Sequence, residues 1–415
     1  MNIVEHIFRF NAGREPERLA LKYRAMRVSP FAFYRGACHL FYDRLPEIGL
    51  FRSAPPVWSC GDLHLENFGS YKGDNRVVYF DINDFDEAAL APATVDLVRA
   101  TTSLVVAGTT AKLGIANTDA LLQNFLTAYR QTLAAGKSLW VEAETSRGMI
   151  RELFDQVGQR TRATFLDRRT KRVHGRRCLR IDGTKQMAVT PAARAEVVAF
   201  IDAFARTQPR PEFFKVIDVA RRVAGTGSLG VDRFVILVDG KGSPDTNYLL
   251  DLKAALPSVT ATRWPTLQPA WSSQAQRICS IQYRMQAIPM AFLHAVPWKG
   301  ASYVLRALQP SEDRILLPTT AGSVDQLLAV VGTMGQCVAS AQLRSSGRQG
   351  AAIADVLIAF AGKKKWPVRV AELAHEMGRT TLADWHAYCA AYDSGRFDAV
   401  DPSRKPGRDA VALRS

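Results

Sequence analysis

The chain has 415 residues, 47% of them hydrophobic and 22% charged, with a formal net charge of +15. That length suffices for one large or two ordinary domains with ample core, and the balance is that of a soluble globular protein, which excludes a disordered chain. No run of about 18 uninterrupted apolar residues occurs, so no membrane-spanning helix is expected, and the basic excess points to an anionic partner or substrate.

Residues 1–18 mix Glu5, Arg9, Arg14, Glu15 and Glu17 among their apolar residues, so no secretory signal is expected. The six cysteines, Cys38, Cys60, Cys178, Cys279, Cys337 and Cys389, include no C-x-x-C pair. A metal ribbon or a disulfide framework is therefore not expected, and a reducing cytoplasm is the natural compartment.

In chain order, residues 15–45 read as helical, with the Ser29-Pro30 step marking a helix start. Arg35, at the end of the aromatic run that follows, could face a phosphate, but a structural ion pair is the preferred expectation. Residues 57–60 read as a short strand, and residues 76–81 as a second strand after the turn at 72–75. A helix is expected from Thr94, as its N-cap, to about Val106. Helical periodicity returns over 117–135 and 188–207.

Between these two stretches lies a basic run. Ten arginines and lysines fall between Arg160 and Lys185, against only Asp167 and Asp182. Such a run suits a solvated loop or a contact with phosphate, nucleic acid or an acidic substrate. Its one aromatic residue, Phe165, argues against stacking on single-stranded bases.

From about residue 212 the pattern changes to strand, glycine loop, strand, turn and strand. Residues 214–224 lead into Gly225-Thr226-Gly227-Ser228-Leu229-Gly230, then 233–238, a turn at 239–242, and 247–253 ending in Lys253. A G-x-G-x-x-G motif alone is weak, but here a second strand follows it and not a helix. Glycines between two antiparallel strands let the backbone approach phosphates, and a Lys on the third strand adds a point charge to them. Further on, helices are expected over 271–288, 324–343, 353–361, 368–375 and 381–392, and a strand over 302–308. The tail from Asp401 is expected to be disordered.

The chemistry concentrates in two segments, Cys60-Gly-Asp-Leu-His-Leu-Glu-Asn-Phe-Gly69 and Phe80-Asp-Ile-Asn-Asp-Phe-Asp-Glu-Ala88. Phosphoryl transfer needs a carboxylate to orient the attacking hydroxyl, with an Asn and a further Asp to hold magnesium on the nucleotide phosphates. Asp62 and Asn67 fit the first two roles, and one of Asp81, Asp84 and Asp86 fits the third. The glycine loop (Gly225, Thr226, Gly227, Ser228 and Gly230) with Lys253 would supply the phosphate grip.

These segments, with Ser29-Pro-Phe-Ala-Phe-Tyr-Arg-Gly36, Gly225 to Gly230 and Leu252-Lys253, resemble the bacterial proteins grouped as domain of unknown function 2252, within the protein-kinase-like superfamily. The resemblance runs from about residue 20 to 345. It implies an α+β, two-lobed, protein-kinase-like fold with ATP and magnesium as cofactors. Small-molecule kinases of the aminoglycoside and choline type carry a pattern similar to H-G-D-x-H-x-x-N, then I-D-F-D-D-A, then D-L. By that likeness Asn83-Asp84-Phe85-Asp86-Glu87-Ala88 is the second element. Asp96-Leu97 is the third, with Asp96 twelve residues after Asp84. Asp84 is then preferred as the metal ligand, and Asp96 would brace the catalytic loop by accepting backbone hydrogen bonds.

The element order differs from that of kinases, because the glycine loop and Lys253 follow the catalytic loop. Circular permutation accounts for this, since it is permitted where termini lie close together at the surface. Residues 1–210 and 316–400 would form the helical lobe, residues 211–315 the inserted β-lobe, and 401–415 a disordered tail. Two positions depart from the kinase pattern. No Glu occurs between Lys253 and Glu312 to pair with the lysine, which leaves either Gln282 as a substitute or Lys253 binding phosphate unpaired, and Cys60 stands where His commonly precedes Gly-Asp. The leading expectation is an ATP- and magnesium-dependent phosphotransferase acting on a hydroxyl of an unidentified acceptor. The alternatives are a nucleotide-binding pseudokinase scaffold and a basic nucleic-acid-binding protein that uses the Arg160–Lys185 run.

Overall fold

The computed structural model describes residues 2–310, 313–315 and 324–401. It is a mixed α+β structure with several antiparallel sheets. The segment expected to be helical from 15 to 45 forms three helices, Pro16–Val28, Pro30–Gly36 and Cys38–Arg44. The first break falls at Ser29-Pro30, where Ser29 caps the next helix by accepting from the Ala32 N–H at 3.1 Å.

Four short strands follow. β1 (Pro56–Ser59) pairs antiparallel with β4 (Ala89–Pro92), and β2 (Phe68–Lys72) pairs with β3 (Val78–Ile82). The next helix, Thr94–Thr110, differs from expectation at both ends. Thr94 is inside the helix and is not its cap. Its hydroxyl is buried and donates to the Leu50 carbonyl at 3.4 Å. At the far end, the Thr109 and Thr110 hydroxyls bond back to the carbonyls of Val105 and Val106, and the helix runs a turn beyond Val106.

The largest core lies among the helices Thr94–Thr110, Ile115–Ala135, Val324–Ser345 and Lys365–Asp393. The two helices expected at 368–375 and 381–392 are one continuous helix. Gly378, near its middle, marks a close approach and not a break. A Cβ there would come within 2.6 Å of Val105 Cγ1, so only glycine lets the two helices meet so closely.

β5 (Thr170–Val173) and β6 (Arg176–Leu179) form a hairpin. The remaining strands are β7 (Gln186–Met187), β8 (Val216–Arg222), β9 (Arg233–Val238), β10 (Tyr248–Ala254), β11 (His294–Trp298) and β12 (Ala301–Ala307). They form a six-stranded antiparallel sheet in the order β11-β12-β10-β9-β8-β7. Every residue of β9 is buried, because both faces of the sheet are covered. One face packs Phe234, Ile236, Leu250 and Leu252 against Val197, Ile201 and Ala205 of the helix Pro191–Ala205. The other packs Val235, Leu237 and Leu249 against Leu166 and Leu179. The packing therefore crosses the break expected at residue 210, since residues 166–205 supply the cover for both faces of the sheet.

No described helix is long and apolar enough to cross a membrane. Of the tail expected to be disordered, Asp401 pairs with Arg24 at 3.0 Å, and the rest lies outside the described residues.

Candidate active site

The loop that follows β1 is built around one buried carboxylate. Asp96, in the first turn of the helix Thr94–Thr110, accepts from the N–H groups of Cys60 at 2.9 Å and Gly61 at 3.0 Å. This is the bracing role the resemblance implied. Burial pushes the Asp96 carboxyl upward, and its hydrogen bonds oppose that shift. Gly61 has φ +79°, and a Cβ on it would lie 2.1 Å from the Glu87 carbonyl oxygen. The position therefore requires glycine for both conformation and space.

The tightened loop presents Asp62. Its Oδ1 accepts from Arg99 Nε at 3.0 Å and Nη2 at 2.5 Å. Arg99 is fully buried, with its guanidinium 3.7 Å from the centre of the Tyr34 ring. Burial raises the Asp62 carboxyl and the Arg99 charge pulls it back, with burial the larger of the two. A carboxylate poised above its ordinary range suits a general base. The sequence reading did not find Arg99. It lies three residues after Asp96, so one helical face carries both the brace of the loop and the partner of its aspartate.

Asn67 ends a short 3-10 turn, Leu65–Asn67. Its amide nitrogen donates to the Asp62 carbonyl, and its own carbonyl accepts from the Asn83 N–H at 2.8 Å. The two acidic segments are thus locked side by side.

The three candidate aspartates separate by position. Asp81 is 3% exposed and bound to Arg344 Nη2 at 2.9 Å and the Ala287 N–H at 3.0 Å, away from the cleft. Asp86 pairs with Lys253. Asp84 lines the cleft with Asn67, and one of its oxygens accepts the Asp86 N–H at 3.3 Å. Among the described residues no group of three or more His, Cys, Asp or Glu could hold a metal ion. Asn67 and Asp84 form a small oxygen-donor set, which suits a magnesium ion that takes its remaining ligands from water and a phosphate-bearing molecule.

The glycine segment connects β8 to β9. Gly225 (φ +74°) and Gly230 (φ +85°) make the turns, and Thr226–Ser228 forms a 3-10 turn between them. The loop is held to the N-terminal helices. Arg14 donates to the Gly227 carbonyl at 2.7 Å, Lys22 to the same oxygen at 3.1 Å, and the Glu15 N–H to the Gly230 carbonyl at 2.9 Å. Gly225, Thr226, Gly227 and Ser228 line the cleft. Gly230 is turned away from it, and a Cβ on it would lie 2.9 Å from the Arg14 Cβ.

Lys253, on β10, is 6% exposed. Its ammonium bonds the Asp86 carboxylate and, at 2.6 Å, the Ser228 hydroxyl. Burial works against the Asp86 charge, but the Lys253 ammonium outweighs it and holds the carboxyl below its ordinary range. Gln282 is not the lysine's partner. It is fully buried in the helix Gln274–Met285 and donates to Gln286 Oε1 at 2.9 Å. That helix instead addresses the acidic loop through Arg277, which donates to the carbonyls of Ala88, Asp86 (2.9 Å) and Leu256 (3.0 Å). The helix offers no acid, and the lysine takes its counter-charge from the loop.

Asp62, Asn67, Asp84, the Gly225–Ser228 segment and Lys253 therefore line one cleft, although Asp62 and Lys253 lie on distant parts of the chain. Arg35 lines it as well and pairs with Glu66, as expected of a structural ion pair. Arg222, Arg233, Arg306 and Arg314, which the sequence reading did not single out, also face the cleft.

Much of the basic run serves structure. Arg177 is 1% exposed and bonds Asp167, Asp245 and the Pro244 carbonyl at 2.6–2.7 Å. Arg160 chelates Asp313, and the Arg162 guanidinium lies 3.5 Å from the centre of the Tyr248 ring.

Neither the curated proteins nor the solved structures include a match to this chain. One family model does match, over residues 14–391. The chain thus belongs to the family described as uncharacterised proteins conserved in bacteria, DUF2252.

Proposed function

We propose that this protein is a phosphotransferase that moves the terminal phosphoryl group of magnesium-bound ATP to a hydroxyl of an acceptor. The observation that carries this reading is the convergence in one cleft of Asp62, Asn67, Asp84, a glycine loop and Lys253. Asp62 would accept the proton of the attacking hydroxyl. The hydroxyl oxygen would form the new bond to phosphorus as the bond to the departing ADP oxygen breaks. Asn67 and Asp84 would hold magnesium, which when bound neutralises charge on the phosphate oxygens. Lys253 and the Gly225–Ser228 backbone would hold the nucleotide phosphates.

The reading extends to a kinase-like two-lobed fold in permuted order. What supports this is the glycine segment between β8 and β9, the lysine on the next strand, β10, and a helix after it, all downstream of the Asp62 loop. In this reading the sheet of β7–β12 is the small lobe, and the helices on either side of it in sequence form the large one.

The test is magnesium-dependent ATP binding and ATP turnover in wild type, Asp62→Ala and Asp84→Ala. Wild type is expected to bind and turn over ATP. Asp62→Ala should retain binding without turnover, and Asp84→Ala should lose the magnesium dependence. Absence of nucleotide binding to wild type at millimolar ATP would refute the reading.

A further inference from the structure

Among the described residues, the sheet side of the cleft carries more positive charge than its own acids balance. Asp251, on β10 two residues before Lys253, is completely buried. Arg233 binds it through Nε at 2.8 Å and Nη2 at 2.6 Å, Arg222 lies at 2.8 Å and Arg306 at 3.5 Å. Three guanidiniums from three strands thus share one carboxylate. Asp86, the nearest acid across the cleft, is already paired with Lys253. Burial, with Arg233 and Arg306 close by, pulls the Arg222 guanidinium down to about 9. Uncompensated buried charge is costly, and an anionic ligand would relieve it.

Arg222 also forms part of a second cavity, of about 520 Å³, that adjoins the cleft through Arg222, Ala224 and Pro310. The outer wall of this cavity comes from the basic run, with Arg168, Arg180 and Lys185 on it. The two acids among its described lining residues have other commitments. Asp182 accepts three backbone N–H groups, from Thr184, Lys185 and Gln186, at 2.7–3.0 Å, and Asp167 pairs with Arg177 at 2.6 Å. The size is that of a small-molecule site, and among the described residues the apolar part of the wall is aliphatic or proline, which offers no aromatic ring for base stacking.

We propose that the acceptor is itself a small phosphorylated molecule. Its anionic groups rest on Arg222 and Arg306 at the inner end and on Arg180 and Lys185 at the outer end, and its hydroxyl faces Asp62. This assignment rests on the phosphotransferase reading for the role of the ligand, but the anion site stands on its own geometry. It also gives a role to Lys185 and to the exposed end of Arg180, whose Nε donates to the Thr170 carbonyl at 2.7 Å.

The probe is pyrophosphate, titrated calorimetrically into the full chain with and without millimolar AMP-PNP and magnesium. Pyrophosphate is expected to bind in the presence of the nucleotide analogue. Arg180→Gln/Lys185→Gln, an exposed pair, should weaken it about tenfold, with the thermal midpoint followed beside it because Arg180 Nε also donates to the Thr170 carbonyl at 2.7 Å. Arg306→Gln should do the same at the inner end. Unchanged pyrophosphate affinity in both variants would overturn the proposal. So would complete displacement by AMP-PNP, which would make these arginines part of the nucleotide site. Steeply salt-dependent binding of single-stranded RNA that excludes pyrophosphate would also overturn it, in favour of a nucleic-acid partner. If AMP-PNP does not bind at all, the phosphotransferase reading fails, and the titration without nucleotide still decides the anion site.

Discussion

The two walls of the cleft are built on opposite principles. The acidic wall, from Cys60 to Asn67 and from Asn83 to Ala88, is shaped by backbone hydrogen bonds. Asp96 holds two loop N–H groups, the Asn67 carbonyl holds Asn83, and Arg277 holds two carbonyls of the second segment. The basic wall, on β8, β9, β10 and β12, is shaped by side-chain charge, with Arg222, Arg233 and Arg306 gathered on Asp251. Backbone bracing fixes where each carboxylate points. Shared ion pairing leaves surplus positive charge available to a ligand. In the proposed reading, the difference assigns positioning to one wall and anion attraction to the other.

This contrast can be broken from either side. The largest effect is expected from Asp62→Asn, which keeps the shape of the loop but removes the proton acceptor. Turnover should fall by about 10³-fold with nucleotide affinity nearly unchanged, measured by steady-state kinetics beside a binding titration. On the basic wall, Asp251→Asn leaves the buried Arg233 and the largely buried Arg222 and Arg306 without their carboxylate. A loss of about 3–5 kcal/mol in unfolding free energy is expected, read from denaturant midpoints. Asp96→Ala should cost less, about 1–3 kcal/mol, because it leaves the buried Cys60 N–H unpaired and the Gly61 N–H with only the Ser59 hydroxyl at 3.1 Å. If Asp96→Ala proves harmless while Asp251→Asn unfolds the protein, the loop is held by something other than the brace.

The smallest expected effect is on acid stability and lies outside both walls. His39 is 5% exposed and stacked on Phe10 with ring centres 4.0 Å apart, and burial depresses its pKa to about 2. The unfolded chain binds a proton near pH 6.5 that the native state refuses. Stability is therefore intact above that pH and is lost as the pH falls through it. Between pH 7 and pH 5 the loss from this site should be about 2 kcal/mol. His39→Phe should make that part of the pH–stability curve shallower, and the slope that remains includes that of His64, whose pKa burial also depresses. An unaltered slope would remove His39 as a source.

The acidic wall was legible in the sequence because its signals are local. Asp62 and Asn67 lie five residues apart, Asp84 sits just after a strand, and Asp96 follows at a fixed distance. Even there, choosing among Asp81, Asp84 and Asp86 by chemistry alone was not possible. Their separation depends on partners far along the chain, Arg344 for Asp81 and Lys253 for Asp86. Arg99 was within reach, since its three-residue spacing from Asp96 places both on one helical face. The basic wall was not legible, because Arg222, Arg233, Asp251 and Arg306 come together only through strand register. Lys253 lies opposite Arg233, and Asp251 lies opposite Arg306. Most helices and strands were readable from periodicity. The exceptions came from tertiary contact, as where the helices expected at 368–375 and 381–392 are one, with Gly378 between them serving a close approach to Val105.

The central claim is that the two walls together hold a magnesium-bound nucleotide. The most direct measurement is calorimetric titration of AMP-PNP into wild type and Asp84→Asn, each with and without magnesium. The account predicts binding to wild type that is strengthened by magnesium, and binding to Asp84→Asn that no longer responds to it. Equal magnesium dependence in the two proteins, or no binding to wild type at millimolar analogue, would contradict it.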